Sequence, residues 1–221
     1  MKIGLFCGCF DPVHTGHIRA AEAFRDAAGL DAVLLVPANG SYKKFGSAME
    51  GGAHRLRMCA LAVSGHEGLA VSGFEVRSPS LPYTSDTVAY ARGCCPGAEI
   101  YLCMGSDAAK YVTRWECFGA LKDSVRFLVA DRGAGAPEEL LQSGAAAFCI
   151  PLEPDGVSST AIRRALALNP KSVTALINLA NVETDAGKAE AMYKKALDLE
   201  PDNIEAHINH AELLYREGVS V

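Results

Sequence analysis

Ile3-Gly4-Leu5-Phe6-Cys7-Gly8-Cys9-Phe10-Asp11-Pro12-Val13-His14-Thr15-Gly16-His17 decides the fold. A short apolar run from Ile3 to Phe6 stops at Gly8, as a buried parallel strand does. Pro12 fixes a turn, and a helix is predicted from Ile18 to Ala28, with Gly29 as its stop signal. A helix start after a strand presents unpaired backbone N–H groups and the positive end of a dipole, which together attract phosphate. Gly8 lets the backbone approach a ligand, and Gly16 leaves the facing surface bare. His14 and His17 are three residues apart and share a helix face. Two imidazoles there can donate to phosphate oxygens as charge shifts during group transfer. The plain alternative is a pair of capping or surface histidines.

Outward from this stretch, strands and helices alternate. Strands are predicted at Ala32–Val36, Leu69–Val76, Glu99–Met104, Ser124–Ala130 and Ala146–Ile150. Helices are predicted at Arg55–Val63 and Thr84–Arg92, and over most of Asp107–Phe118. The polar, glycine-rich segment from Gly40 to Gly52 reads as a mobile loop. The pattern predicts α/β architecture, a doubly wound parallel sheet covered by helices, with ligands beyond the carboxyl ends of the strands.

After Ser158 everything reads as helix. Residues Ala189–Pro201 look like the second helix of a tetratricopeptide repeat, and Ala206–Tyr215 like the first helix of the next. Pro170 and Pro201 mark equivalent positions 31 residues apart, against the usual 34 or so. We expect a nucleotide-handling domain over 1–168 and a helical repeat-like segment over 169–221. One repeat and a half leaves an apolar face at Leu213, Leu214 and Tyr215, so residues 170–218 are expected to self-associate through the terminal helix or else to pack on the α/β domain, the first being favoured.

The chain has 221 residues and a net charge of −5. Residues 1–166 carry 16 Lys and Arg against 17 Asp and Glu; residues 167–221 carry five against nine. Neither part has the basic excess of a nucleic-acid binder. No apolar run approaches the ~20 residues of a membrane span. Met1–Phe6 is too short for a secretion signal, so a cytoplasmic protein is expected. The eight cysteines then read as thiols rather than disulfides, with Cys59, Cys103 and Cys149 in apolar stretches. Cys7 and Cys9 with His14 and His17 could suggest zinc, but a second ligand pair with finger or ribbon spacing is missing.

Phe10-Asp11-Pro12 followed by His14-Thr15-Gly16-His17 resembles the nucleotidylyltransferase superfamily. Tyr83-Thr84-Ser85-Asp86-Thr87, Gly105-Ser106-Asp107 with Trp115 eight residues on, and Ser158-Ser159-Thr160-Ala161-Ile162-Arg163 narrow the resemblance to bacterial nicotinate-nucleotide adenylyltransferases. The resemblance covers residues 1 to about 168 and implies adenylyl transfer from ATP to nicotinate mononucleotide. It implies His14, His17, Lys44 and Arg163 as catalytic residues. Gly8, Cys9, Phe10, Gly16, Gly105, Asp107, Ser158, Ser159 and Thr160 would bind ATP, and Thr84 and Trp115 the acceptor. Mg2+ would come with ATP, held by substrate and water rather than by dedicated ligands.

Several of these residues also admit plainer roles. Asp107, Thr84 and Ser158–Thr160 could cap helices, Lys44 could be a solvated lysine, and Trp115 could pack in the core. Where the family shows Gly-Gly-Thr or Gly-Gly-Ser before Phe10, this chain has Cys7-Gly8-Cys9, a weak thiol donor in place of a hydroxyl. Its Ser41-Tyr42-Lys43-Lys44 replaces the family's Pro-Pro-His-Lys. That change leaves nicotinamide mononucleotide open as an acceptor. An interaction protein with a vestigial nucleotide site is the rival of a different class.

Overall fold

The computed structural model describes residues 1–40, 51–131, 133, 137–153, 157–168, 173, 176–177, 180 and 186–216. It divides into two compact units, Met1–Val157 and Ser158–Val221.

The first unit is built on six parallel strands: β1 (Lys2–Gly8), β2 (Ala32–Pro37), β3 (Leu69–Val71), β4 (Glu99–Gly105), β5 (Arg126–Asp131) and β6 (Ala147–Pro151). They run in the order β3-β2-β1-β4-β5-β6. The chain leaves β1 for β2 on one side and later returns beside β1 as β4, so the topological switch point lies between β1 and β4. Register follows the alternation of side chains. Phe6 pairs with Leu35 and Cys103, and Leu5 with Leu34 and Leu102.

Alternate strand residues feed two cores. On one face Phe6, Leu35, Cys103 and Leu128 meet Ile18, Ala21 and Phe24 of α1 (Thr15–Ala28) and Cys59 of α2 (Gly52–Ala62). On the other, Leu5, Leu102, Phe127 and Val129 meet Val88 and Ala91 of α4 (Thr84–Cys94) together with Val112, Leu121 and Leu140. Short helices α5 (Ser106–Ala109), α6 (Phe118–Lys122) and α7 (Glu138–Gln142) complete the second layer.

Two expected elements differ. The strand predicted from Leu69 to Val76 ends at Val71, and Phe74–Arg77 form a turn of helix, α3. Gly73 breaks the strand: a β-carbon there would lie 2.7 Å from Arg77 Nη1 and 2.9 Å from Leu56 Cδ2. Phe74 turns back to stack on Tyr90, with ring centroids 4.3 Å apart. The helix predicted across Asp107–Phe118 breaks into α5, a 3-10 turn at Val112–Arg114 and α6, leaving Trp115 extended between the last two. Among the expected thiol positions, Cys59 and Cys103 are buried, but Cys149 is exposed because β6 is an edge strand. All eight cysteines are free.

In the second unit, α8 spans Ser159–Leu168, α9 spans Ala186–Leu199 and α10 spans Ile204–Arg216. Ala189, Tyr193 and Ala196 of α9 and Ala206 of α10 form its core with Val173, Leu176, Ile177 and Ala180.

Candidate active site

The loop between β1 and α1 is tightly shaped. Phe10 takes a left-handed backbone conformation, φ 46°, and the Asp11–Pro12 peptide is cis. A non-glycine residue in that region costs on the order of 1 kcal/mol or more and persists where its surroundings hold it. Here the Phe10 ring, 2% exposed, packs edge-on against Phe6 and His17 at centroid distances of 5.4 and 5.0 Å. The same ring explains Gly8. A β-carbon on Gly8 would lie 3.2 Å from it, so the residue's bareness is used first by Phe10.

His14 is the N-cap of α1 and Gly16 is buried in its first turn. The rings of His14 and His17 lie 3.7 Å apart, centroid to centroid. The His14 backbone N–H donates to His17 Nδ1 at 3.2 Å, closing a capping box. That bond assigns the neutral tautomer of His17: Nδ1 accepts, so the proton sits on Nε2.

Beside β1, β4 ends at Gly105, the N-cap of α5. A β-carbon on Gly105 would lie 2.7 Å from Asp107 Oδ1. Asp107 is exposed on the first turn of α5. The β1–α1 loop and Asp107 therefore stand at the carboxyl ends of the two strands flanking the switch point.

A cleft of about 480 Å³ opens at the ends of β1 and β2. Gly8 and Cys9 form part of its wall, and Thr84 and Trp115 line it as well. The structure thus brings the two acceptor residues and part of the expected ATP loop to one cavity. Its far side is braced: Tyr83 Oη donates to Glu116 Oε2 at 2.9 Å, joining the start of α4 to the Trp115 segment. The Tyr83 backbone N–H is capped by Asp86 Oδ2 at 2.8 Å.

The cleft floor holds groups the sequence reading did not single out. Arg55, fully buried, donates Nη1 to the Cys9 carbonyl and Nη2 to the Ala38 carbonyl, both at 2.7 Å. Glu75 is 6% exposed and accepts from Thr87 Oγ1 at 2.7 Å. Burial raises the Glu75 carboxyl above its ordinary pKa, opposed by hydrogen bonds from Thr87 and Cys7 and by the charge of Arg55. Burial, followed by the Glu75 charge, pushes the Cys7 thiol well up, so Cys7 stays protonated as a donor.

In the second unit, Ser158 Oγ accepts the Ala161 backbone N–H at 3.1 Å and caps α8. Ser159 and Thr160 form the first turn of that helix, and Arg163 Nη2 reaches Thr160 Oγ1 at 3.4 Å. Lys44 and the rest of Ser41–Lys44 lie outside the described residues. Among the described residues no group of three or more His, Cys, Asp or Glu could hold a metal ion.

The cytidylyltransferase-like family profile matches residues 5–165. A probable nicotinate-nucleotide adenylyltransferase of Neisseria meningitidis is 38% identical over 177 residues, 75% of this chain and 87% of that protein. One from Bordetella pertussis is 35% identical over 174 residues, 75% of this chain and 86% of its own length. Among solved structures, the Plasmodium falciparum nicotinic acid mononucleotide adenylyltransferase complexed with NaAD shares the fold. Its TM-score is 0.64 at 18% identity, covering 75% of this chain and 83% of that one. With a strand–loop–helix at the switch point and relatives this close along most of their length, the chain belongs to the cytidylyltransferase-like family, among the nicotinate-nucleotide adenylyltransferases.

Proposed function

We infer that the protein transfers the adenylyl group of ATP to nicotinate mononucleotide, giving deamido-NAD and pyrophosphate in NAD biosynthesis. The observation that carries this is the single cleft in which Thr84 and Trp115 face the Gly8–Cys9 end of the histidine-bearing loop. The relatives' shared activity supports it.

The acceptor's 5′-phosphate oxygen attacks the α-phosphorus of ATP in line. The bond to the bridging oxygen breaks, and pyrophosphate leaves with that electron pair. The nucleophile is already anionic, so no general base is needed, and catalysis is positioning plus charge stabilisation. His17 Nε2–H, fixed by the His14 N–H, is suited to donate to a phosphate oxygen, with His14 beside it. Arg163 and Lys44 are proposed to hold the outer phosphates, with Ser158, Ser159 and Thr160 at a helix N-terminus. Asp107 is proposed to accept from the ribose. Trp115 would stack on the pyridine ring, and Thr84 would meet the carboxylate. Mg2+, bound by ATP phosphates and water, would screen the charge on the leaving pyrophosphate.

Pyrophosphate release with ATP and each acceptor tests the reading. Nicotinate mononucleotide is expected to be turned over in preference to nicotinamide mononucleotide. Absence of release with both would overturn it, and a preference for the amide would reassign the acceptor. A cytoplasmic location goes with this activity. We also propose that the C-terminal helices pair with a second copy, supported by the exposure of Ile204 and Ile208 on α10.

A further inference from the structure

The cleft walls come from elements far apart in sequence, and a buried polar cluster holds them in register. The buried polar and charged residues among those described are Asp11, Arg55, Glu75 and Thr87. Of these, Glu75 lines the cleft, Arg55 bonds two of its lining residues and Thr87 bonds Glu75. Arg55 spans the ends of β1 and β2 through the carbonyls of Cys9 and Ala38. Glu75 comes from α3 and accepts from Thr87 Oγ1 of α4 at 2.7 Å, while Cys7 of β1 and the Asn39 backbone after β2 act with Thr87 to lower its carboxyl pKa against burial.

Thr87 is three residues beyond Thr84, so on α4 the two occupy one helix face. The Glu75–Thr87 bond therefore pins the first turn of α4, the turn that presents Thr84 to the cleft. A buried charge is costly unless paired and hydrogen-bonded, and an apolar side chain would fill the same space at lower cost. A carboxylate kept there, opposite the buried Arg55, is explained by placement of the cleft wall better than by stability.

We propose that Glu75, acting through Thr87, is a positioning residue for the acceptor half of the site. It sets the first turn of α4 so that Thr84 and Trp115 meet the pyridine nucleotide in one geometry. Arg55 holds the carbonyl of Cys9 on the loop facing ATP, so its influence extends to both substrates. That of Glu75 falls chiefly on the acceptor wall, where its side chain bonds Thr87. This rests on the reading of the cleft as the pyridine-nucleotide site.

The test is steady-state kinetics of the full chain, with acceptor binding followed independently by fluorescence of Trp115, the only tryptophan. In Glu75→Gln the acceptor KM is expected to rise about tenfold, the scale of one lost hydrogen bond to a charged group, with the ATP KM and kcat unchanged within about twofold. Thr87→Val is expected to repeat that split and Thr87→Ser, which keeps the hydroxyl, to restore the wild-type acceptor KM. The Thr87 pair carries the test if Glu75→Gln does not fold. Equal rises in both KM values, or Thr87→Ser as impaired as Thr87→Val, would overturn the proposal while leaving the activity standing. A wild-type protein that turns over neither pyridine mononucleotide removes the reading of the cleft and the proposal with it.

Discussion

At the scale of single residues, the proposed chemistry rests most on His17. Its Nδ1 accepts the His14 backbone N–H, which puts the ring proton on Nε2, the atom proposed to donate to phosphate. Preorganised donors of this kind contribute about 10²–10³-fold in turnover. His17→Ala is expected to lower kcat by about 10²-fold with the fold intact by circular dichroism; near-normal kcat in a folded variant would remove the catalytic role. His17→Gln, which can also donate, is expected to fall between the two. The loop that carries the histidine pair was legible because an apolar run stopped by glycine, a Phe-Asp-Pro turn and a helix pattern follow one another there. Arg55 and Glu75 were not legible. On a helix or after a strand a charged residue reads as a solvated face, and only the fold reveals that Arg55 points inward to two backbone carbonyls and Glu75 to the Thr87 hydroxyl.

The buried thiols give a second prediction at this scale. Burial pushes the Cys59 thiol up to about 12 from 9.0, and raises Cys103 further still. Between these values the unfolded chain loses the Cys59 proton while the folded protein keeps it. The folded state then binds more protons, so stability falls as pH rises through that window. One such proton contributes a slope of about 1.4 kcal/mol per pH unit. Urea melts from about pH 8 to about 11 are expected to show Cys59→Ala less stable than wild type at the low end but losing stability more slowly with pH. Parallel curves for the two proteins would show that the thiol does not report the burial assigned to it.

At the scale of elements, the parallel strands were legible where apolar runs were bounded by glycine or proline, as at β1, β2 and β4. They were obscured where a tertiary contact overrode the pattern. The run from Leu69 to Val76 looks like one strand, yet Gly73 and the stacking of Phe74 on Tyr90 turn its second half into α3. That turn is what brings Glu75 under the cleft, so a misread element hid a site residue. The centre of β1 shows how little slack the sheet has. A β-carbon at Gly4 would lie 2.9 Å from Leu30 Cδ1, 3.0 Å from Cys103 Sγ and 3.1 Å from Val33 Cγ2. Strand geometry itself would favour alanine over glycine, so packing decides the sign. Gly4→Ala is expected to destabilise by about 1–3 kcal/mol in denaturant titrations; a gain in stability would mean that the neighbours yield freely.

At the scale of the whole molecule, the family profile ends at residue 165, inside α8, whereas α9 and α10 lie beyond it. The chemistry is therefore assigned to residues before α9, and the last two helices need another role. The sequence pattern placed an uncovered apolar face at Leu213, Leu214 and Tyr215. Within the second unit Leu213 instead packs against the core formed by Tyr193, Ala196 and Ala206. Among the described residues of α10, the large apolar side chains left open are Ile204, 74% exposed, and Ile208, 53% exposed, one turn apart. A face of this kind tends to find a partner, and a second copy supplies a matching one. Deleting residues 200–221 is a poor test because it would strip Ala206 and Leu213 from the core and expose α9. Replacing both exposed isoleucines, Ile204→Glu with Ile208→Glu, leaves that core untouched. Light scattering is expected to show the wild-type chain as a dimer at high concentration and the double variant as a monomer, with the same kcat per chain in pyrophosphate release. A monomeric wild-type chain would end the proposal of pairing. A drop in kcat in a folded, monomeric double variant would show that assembly and catalysis are linked, against the assignment of all the chemistry to residues before α9.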